Sequence, residues 1–179
     1  PPRARELLRE FAAFYRRTLE SGEDMVPLER EIEYVNMYLH FESARFGDRL
    51  VVLEEIDDEL FDLLVPAFML QPIVENCIQH GMRHDGPLEI ELSSEVTPDC
   101  TVALRVRDNG LGIRPVDLPR VLEPGFGKGL GIALKNVDDR LRGHYGPGSG
   151  VNVESTEGEG TTVTLLLAGA AADGSQTEC

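Results

Sequence analysis

Apolar residues recur at helical spacing in four stretches of the chain and alternate at strand spacing in five others. From Arg3 to about Glu20, Leu7, Leu8, Phe11, Phe14, Tyr15 and Leu19 form one stripe, which predicts an amphipathic helix ended by Ser21-Gly22. A second helix is predicted from about Pro27 to Arg45, with Leu28, Ile32, Val35, Leu39 and Phe46 on one stripe and Phe46-Gly47 as its end. Between Tyr34 and Phe41 that helix is apolar enough for both faces to pack. A third, from about Pro66 to Gly81, turns Phe68, Met69, Ile73, Val74 and Ile78 to a core and Glu75, Asn76, Gln79 and His80 to a polar side. A fourth, Leu130 to Arg142, carries Ile132, Val137 and Leu141 as its apolar residues.

Strand spacing marks Arg49 to Ile56, followed by an acidic turn over Glu54 to Glu59. Leu88 to Val96 and Thr101 to Val106 flank Thr97-Pro98-Asp99 as a hairpin, which places Asp108 at a strand end. Val151 to Ser155 and Thr161 to Leu167 form a closing hairpin after a turn over Gly143 to Gly150. Gly110 to Gly127, with Pro115, Pro119 and Pro124, reads as a lid rather than a regular element. Ala168 to Cys179 is too small and polar to pack, and there are no internal repeats. The expected division is an N-terminal helical segment over 1–46, one domain over 47–168 and a tail over 169–179.

With 179 residues, 41% hydrophobic and 27% charged, the chain can bury one good core as a soluble globular protein. No apolar run approaches bilayer length, and Pro1-Pro2-Arg3-Ala4-Arg5 is neither a signal peptide nor a start at Met, so the expectation is an excised fragment. Seventeen basic against 32 acidic residues give a formal charge of −15, which repels nucleic acid and anionic membrane surfaces. Cys77, Cys100 and Cys179 show no CxxC pattern and read as plain thiols of a reducing compartment. The two lysines, Lys128 and Lys135, both flank a glycine cluster, as charges beside a phosphate would.

Four short segments carry candidate chemistry. Asn76 lies mid-helix, where asparagine has no propensity advantage; its carboxamide oxygen is a hard ligand suited to Mg²⁺, and the alternative is a solvated or helix-bonded side chain. His80, one turn on, could bond a phosphate or be an ordinary surface histidine. Asp108-Asn109-Gly110-Leu111-Gly112 puts a carboxylate able to accept the N6 hydrogens of adenine beside glycines that let the base approach, or forms only a common turn. Gly127, Gly129 and Gly131 directly precede a helix, whose N–H groups could face phosphates. They lack the spacing of a P-loop and the preceding strand of a Rossmann turn. Gly158, Gly160 and Thr161 could be a hairpin turn alone. In this order and at these separations, the four segments describe a nucleotide pocket.

Together they resemble the superfamily of ATPases with the Bergerat-type pocket found in DNA gyrase, Hsp90, histidine kinases and MutL. Within it, Leu70 to Gly81 (LQPIVENCIQHG), Gly129 to Val137 (GLGIALKNV) and Val26 to Ile32 (VPLEREI), with Tyr38-Leu39 and Arg45-Phe46, resemble sensor histidine kinases of the LytS-like subfamily. The resemblance covers nearly the whole chain to Leu167.

It implies an α+β fold, a two-layer sandwich of mixed β-sheet backed by helices and preceded by N-terminal helices of the dimerisation region. It implies ATP and Mg²⁺ as cofactors, with Asn76 as the metal ligand and Asn76, His80 and Lys135 as catalytic residues. Nucleotide contacts would come from Asn76, His80, Asp108, Gly110, Gly112, Ile113, Gly127, Lys128, Gly129, Leu130, Gly131, Gly160 and Thr161. The implied partners are a phosphoacceptor histidine region, a response regulator and a second copy of the kinase, with no nucleic acid. The implied setting is the cytoplasmic domain of a membrane-anchored bacterial sensor.

Some positions depart from the pattern. Gln79 stands where many relatives carry Lys, and Phe126 is the one remnant of a lid phenylalanine box. No Pro-His-Phe-like acceptor segment is present, and His40 lies downstream of where the acceptor belongs, so a structural role is expected for it. The fragment is therefore expected to bind ATP without phosphorylating itself. Alternatives are a non-enzymatic regulatory module and an anti-sigma-type serine kinase. A gyrase-like hydrolase is disfavoured because Pro72 occupies the position of its glutamate base.

Overall fold

The computed structural model describes residues 24–83, 85–123 and 130–172. A short strand β1 (Met25–Pro27) leads directly into helix α1 (Leu28–Phe46), within a residue of the span predicted from its stripe. The main sheet then takes strands β2 (Leu50–Glu55), β4 (Leu88–Val96), β5 (Val102–Asp108), β6 (Gly150–Thr156) and β7 (Gly160–Leu167) in the order β2-β4-β5-β7-β6. β2 runs parallel to β4, and the other neighbours are antiparallel. This is the expected mixed sheet. Alternation decides which side is covered: Leu88, Ile90 and Leu92 of β4, Leu104 and Val106 of β5, and Leu165 and Leu167 of β7 are all buried. The other side carries Arg105 paired with Glu95 at 2.5 Å and Arg107 near Glu91 at 3.9 Å.

Among the described residues, three helices form the second layer. α1 lies by β2, α2 (Gln71–Gly81) lies over β4, β5 and β7, and α3 (Leu130–Tyr145) packs on β6 and β7. Ile32, Val35 and Leu39 of α1 join the same core as Ile73, Val74 and Ile78 of α2. The amphipathic helix expected over residues 3–20 lies outside the described residues.

Several local expectations are corrected. α2 begins at Gln71 rather than near Pro66, because Leu64–Pro66 forms strand β3, paired antiparallel with Met25–Pro27. A helix starting at Pro66 would also place Pro72 beyond its first turn, where the missing N–H and the ring break the hydrogen-bond ladder; starting at Gln71, Pro72 sits in the first turn. α3 continues past Arg142 to Tyr145, whose hydroxyl donates to the carbonyl of Leu64. Ile132 is 51% exposed, and Leu134 takes its place in the core beside Val137 and Leu141. Ala170 and Ala171 of the expected loose tail are buried in a short 3₁₀ turn, small enough to fit against the core. Cys77 is a free, buried thiol. His40 is exposed on α1.

The contrast on α3 is testable. Leu141→Ala is expected to cost about 2–5 kcal/mol for lost burial and the cavity left behind, and Ile132→Ser to stay within about 0.5 kcal/mol. Urea unfolding midpoints of the two variants separate them.

Candidate functional site

The site begins where β5 ends. Asp108 pairs with Ile90 of β4 on one side and Thr161 of β7 on the other, so two strands fix its backbone. Its side chain is 7% exposed, and its Oδ1 accepts the N–H of Gly110 at 2.8 Å. Asn109 extends the pairing to β4: its Oδ1 accepts from the N–H of Glu89 at 2.9 Å and its own N–H donates to Glu89 O at 3.3 Å. The Asp-Asn-Gly turn thus aims one carboxylate inward and uses the neighbouring amide as an anchor.

Close backbone approaches hold the turn. A Cβ on Gly110 would stand 2.4 Å from the Cα of Gly81, the last residue of α2, so helix and turn are in backbone contact. Gly112 has φ +64, and a Cβ there would meet Thr156 O at 2.0 Å. Across the same gap Gly158 N–H donates to Leu111 O at 2.8 Å and Ile113 N–H to Ser155 Oγ at 2.8 Å. Arg83, just past α2, donates to Asn109 O at 3.2 Å and Gly158 O at 2.8 Å. One guanidinium therefore ties together two of the glycine-bearing segments that the sequence separates widely.

Between α2, the end of the sheet and α3 lies a cavity of about 320 Å³, within the range of small-molecule sites. Asn76 and His80 of α2 line it together with Asp108, Gly112, Ile113 and Thr161. Gly110 and Gly160 shape it through backbone contact rather than lining it. Its apolar walls are Ile73, Val121, Leu134, Val153 and Val163, and Arg114 and Asp117, ion-paired at 2.6 Å, stand at its polar edge. Of the expected phosphate-side residues, Gly127, Lys128, Gly129 and the remnant Phe126 lie outside the described residues. Leu130 and Gly131 open α3. Lys135 does not line the cavity and pairs instead with Asp139, one turn on along α3.

Burial pushes the Asp108 carboxyl above its ordinary value, against the pull of the Gly110 N–H, the Cys77 thiol and the Thr161 N–H. Cys77 lines the same cavity, and burial with the Asp108 charge holds its thiol far up, so it acts as a neutral donor toward the carboxylate. No motif in the sequence marks this contact; its signal is a thiol one residue after Asn76 on a helix ending against Asp108.

Asn76 donates its amide nitrogen to Pro72 O at 2.6 Å, so the helix-bonded alternative occurs. That bond uses the nitrogen end and leaves the carboxamide oxygen as the free, hard-ligand end. Among the described residues no group of three or more His, Cys, Asp or Glu side chains could hold a cation. A cation at Asn76 would then take its other ligands from phosphate oxygens and water, the usual arrangement for nucleotide-bound Mg²⁺.

Residues 65–170 match the family model for histidine kinase-, DNA gyrase B- and HSP90-like ATPases, and residues 1–50 match a histidine kinase model. The sensor protein LytS of Bacillus anthracis is 35% identical over 92% of the chain, which spans 28% of that relative's length. In fold, the chain is similar to the histidine kinase domain of a blue-light activated kinase from Erythrobacter litoralis, with TM-score 0.58 and 18% identity over 86% of this chain and 71% of that one. It is also similar to full-length ShkA solved with AMPPNP, with TM-score 0.62 and 18% identity over 82% of this chain and 31% of that one. The chain belongs to the histidine kinase-, DNA gyrase B- and HSP90-like ATPase family, with an ATP-binding domain of the sensor histidine kinase type.

Proposed function

We propose that this chain binds Mg·ATP in the cavity between α2 and the sheet and delivers the γ-phosphoryl group to a histidine of the full-length sensor, from which it passes to a response regulator. The observation that carries the reading is the buried Asp108 carboxylate in the wall of a largely apolar cavity that Asn76 and His80 of α2 also line. Asp108 accepts the N6 hydrogens of adenine while Ile73, Leu134 and Val163 keep water from the base. Asn76 offers its carboxamide oxygen, and His80 a ring N–H, on the side where phosphates leave the cavity. Mg²⁺, when bound, neutralises phosphate charge that a chain of net charge −15 would otherwise repel.

The chemistry needs little from the protein beyond placement. An imidazole nitrogen of the acceptor attacks the γ-phosphorus, the bond to the β–γ bridging oxygen breaks, and ADP leaves with that electron pair. In the same reading, the acceptor and a second kinase copy come from the dimerisation region of a membrane-anchored sensor. No helix among the described residues is long and apolar enough to cross a membrane.

The test supplies an acceptor-helix fragment from the same sensor and follows labelled phosphate from ATP. Acid-labile label on the acceptor is expected, and Asn76→Ala is expected to slow its appearance by at least about tenfold, the scale of about 1.4 kcal/mol in a barrier. Acid-stable label, or none with a fully folded chain, would overturn the proposal.

A further inference from the structure

Glu31 lies in the first turn of α1, far along the chain from every nucleotide-facing segment, and is completely buried. Its Oε1 accepts the N–H of Phe68 at 2.5 Å, and its Oε2 accepts those of Met69 at 2.9 Å and Leu70 at 3.2 Å. One carboxylate therefore grips consecutive backbone donors of the turn that starts α2. Phe68 has φ +61, a region that a bulky side chain occupies only when its surroundings hold it there. Its ring stacks on Tyr34 of α1 with centroids 5.3 Å apart and planes at 14°. From the α3 side, Arg140 donates to Ala67 O at 2.6 Å and to Asp24 O at 2.9 Å. The turn is held from both flanking helices.

What the turn controls is the asparagine-bearing helix. α2 has no acidic residue in its first turn and no side-chain cap, so Glu31 supplies the negative charge its positive end favours. Leu70, gripped at its N–H by Glu31, accepts at its carbonyl from Ile73 at 3.1 Å and Val74 at 3.2 Å, which closes the first turn. Within that turn Pro72 O receives the Asn76 amide. A continuous bonded path thus runs from α1 to the side chain on the phosphate side of the cavity.

We propose that Glu31 is a positioning residue of the nucleotide site: by clamping residues 68–70 it holds α2 at the setting in which Asn76 faces the cavity, so that α1 and the metal–phosphate end of the site move together. The inference rests on the Mg·ATP reading of that cavity. It bears mainly on one end of the site, because the Asp108 backbone is fixed by pairing with β4 and β7, and α2 reaches its carboxylate only near its C-terminal end, through Cys77 and Gly81. Burial holds the Glu31 carboxyl up to about 7, opposed by the backbone donors of the turn and by the Arg140 guanidinium, the charged group facing it from α3.

The test compares wild type with Glu31→Gln for binding of Mg·AMPPNP and of adenosine, at pH 8 and pH 6. At pH 8 the variant is expected to bind Mg·AMPPNP about tenfold more weakly and adenosine within about twofold of wild type. Toward pH 6 the Mg·AMPPNP gap should narrow, because wild-type Glu31 then gains a proton and loses acceptor strength. Equal weakening of both ligands would reduce Glu31 to a structural role and overturn the proposal, as would unchanged Mg·AMPPNP binding. If Glu31→Gln does not fold, Arg140→Met loosens the same turn from the other side: a selective loss for Mg·AMPPNP supports the clamp, and no selectivity overturns it. Wild type that binds adenosine but not Mg·AMPPNP, or neither, fails the nucleotide reading first and takes this inference with it.

Discussion

Asp108→Asn is expected to cost about a hundredfold in affinity for adenine nucleotides while leaving the fold intact. The groups around this carboxylate are donors: the Gly110 N–H at 2.8 Å, the Cys77 thiol and the Thr161 N–H. Adenine N6 brings further hydrogens. A carboxylate accepts all of them, whereas asparagine turns one end into an amide that faces donors with donors. Hydrogen bonds to a charged group contribute about 1.5–3 kcal/mol, and the upper end is about two decades of affinity. Stability should not follow. Burial has raised the Asp108 carboxyl, so its contribution to stability is full below its ordinary range and lost as pH rises through the raised value. Burying that charge carries a cost, which a neutral amide relieves. Displacement of a fluorescent nucleotide, with thermal melting of the same samples, checks both halves; near wild-type affinity in a folded variant would contradict the adenine assignment.

Gly160→Ala is expected to destabilise the domain by more than about 4 kcal/mol, a loss reserved for a short list of severe mechanisms. Gly160 has φ +124, and a Cβ there would stand 2.0 Å from Asp108 O and 2.9 Å from Asn109 Cα. Both are backbone atoms at the end of β5, so no rotamer change makes room. The first residue of β7 must approach Asp108 this closely for Thr161 to pair with it. Gly158→Ala is the control: φ is +86 but nothing lies within 4 Å of its Cβ, so only backbone strain of roughly 1 kcal/mol is expected. Chemical denaturation of the pair decides it, and a Gly160→Ala domain within about 1 kcal/mol of wild type would rule out the close approach.

The sheet was legible because β4 and much of β5 alternate between buried apolar and outward-facing polar residues. β4 and β5 put Leu88, Ile90, Leu92, Leu104 and Val106 on the helix side and Glu89, Glu91, Arg105 and Arg107 on the other, a contrast visible without tertiary knowledge. β3 was not legible: a three-residue strand carries no periodicity, and its partner β1 lies on the far side of α1 and β2. The same region hid Glu31, since an acid on an amphipathic helix reads as solvated until the turn of 68–70 is folded against it.

The polar members of the site were legible as glycine and carboxamide boxes at strand and helix ends. Its walls were not, because Ile73, Leu134, Val153 and Val163 follow the same burial pattern whether they face a ligand or each other. Lys135 shows the limit of charge counting. It stands near the glycine cluster in sequence, yet Asp139 at i+4 gives it a partner along its own helix.

The most direct measurement is calorimetric titration of the folded chain with Mg²⁺ and a nonhydrolysable ATP analogue, run beside Asp108→Asn and Asn76→Ala. Binding of one analogue per chain is expected, weakened in both variants, with the Asn76→Ala loss largely abolished when Mg²⁺ is withheld from all samples. A folded wild type that takes up no analogue, or that binds it equally well in both variants, would contradict the assignment of this cavity as the ATP site.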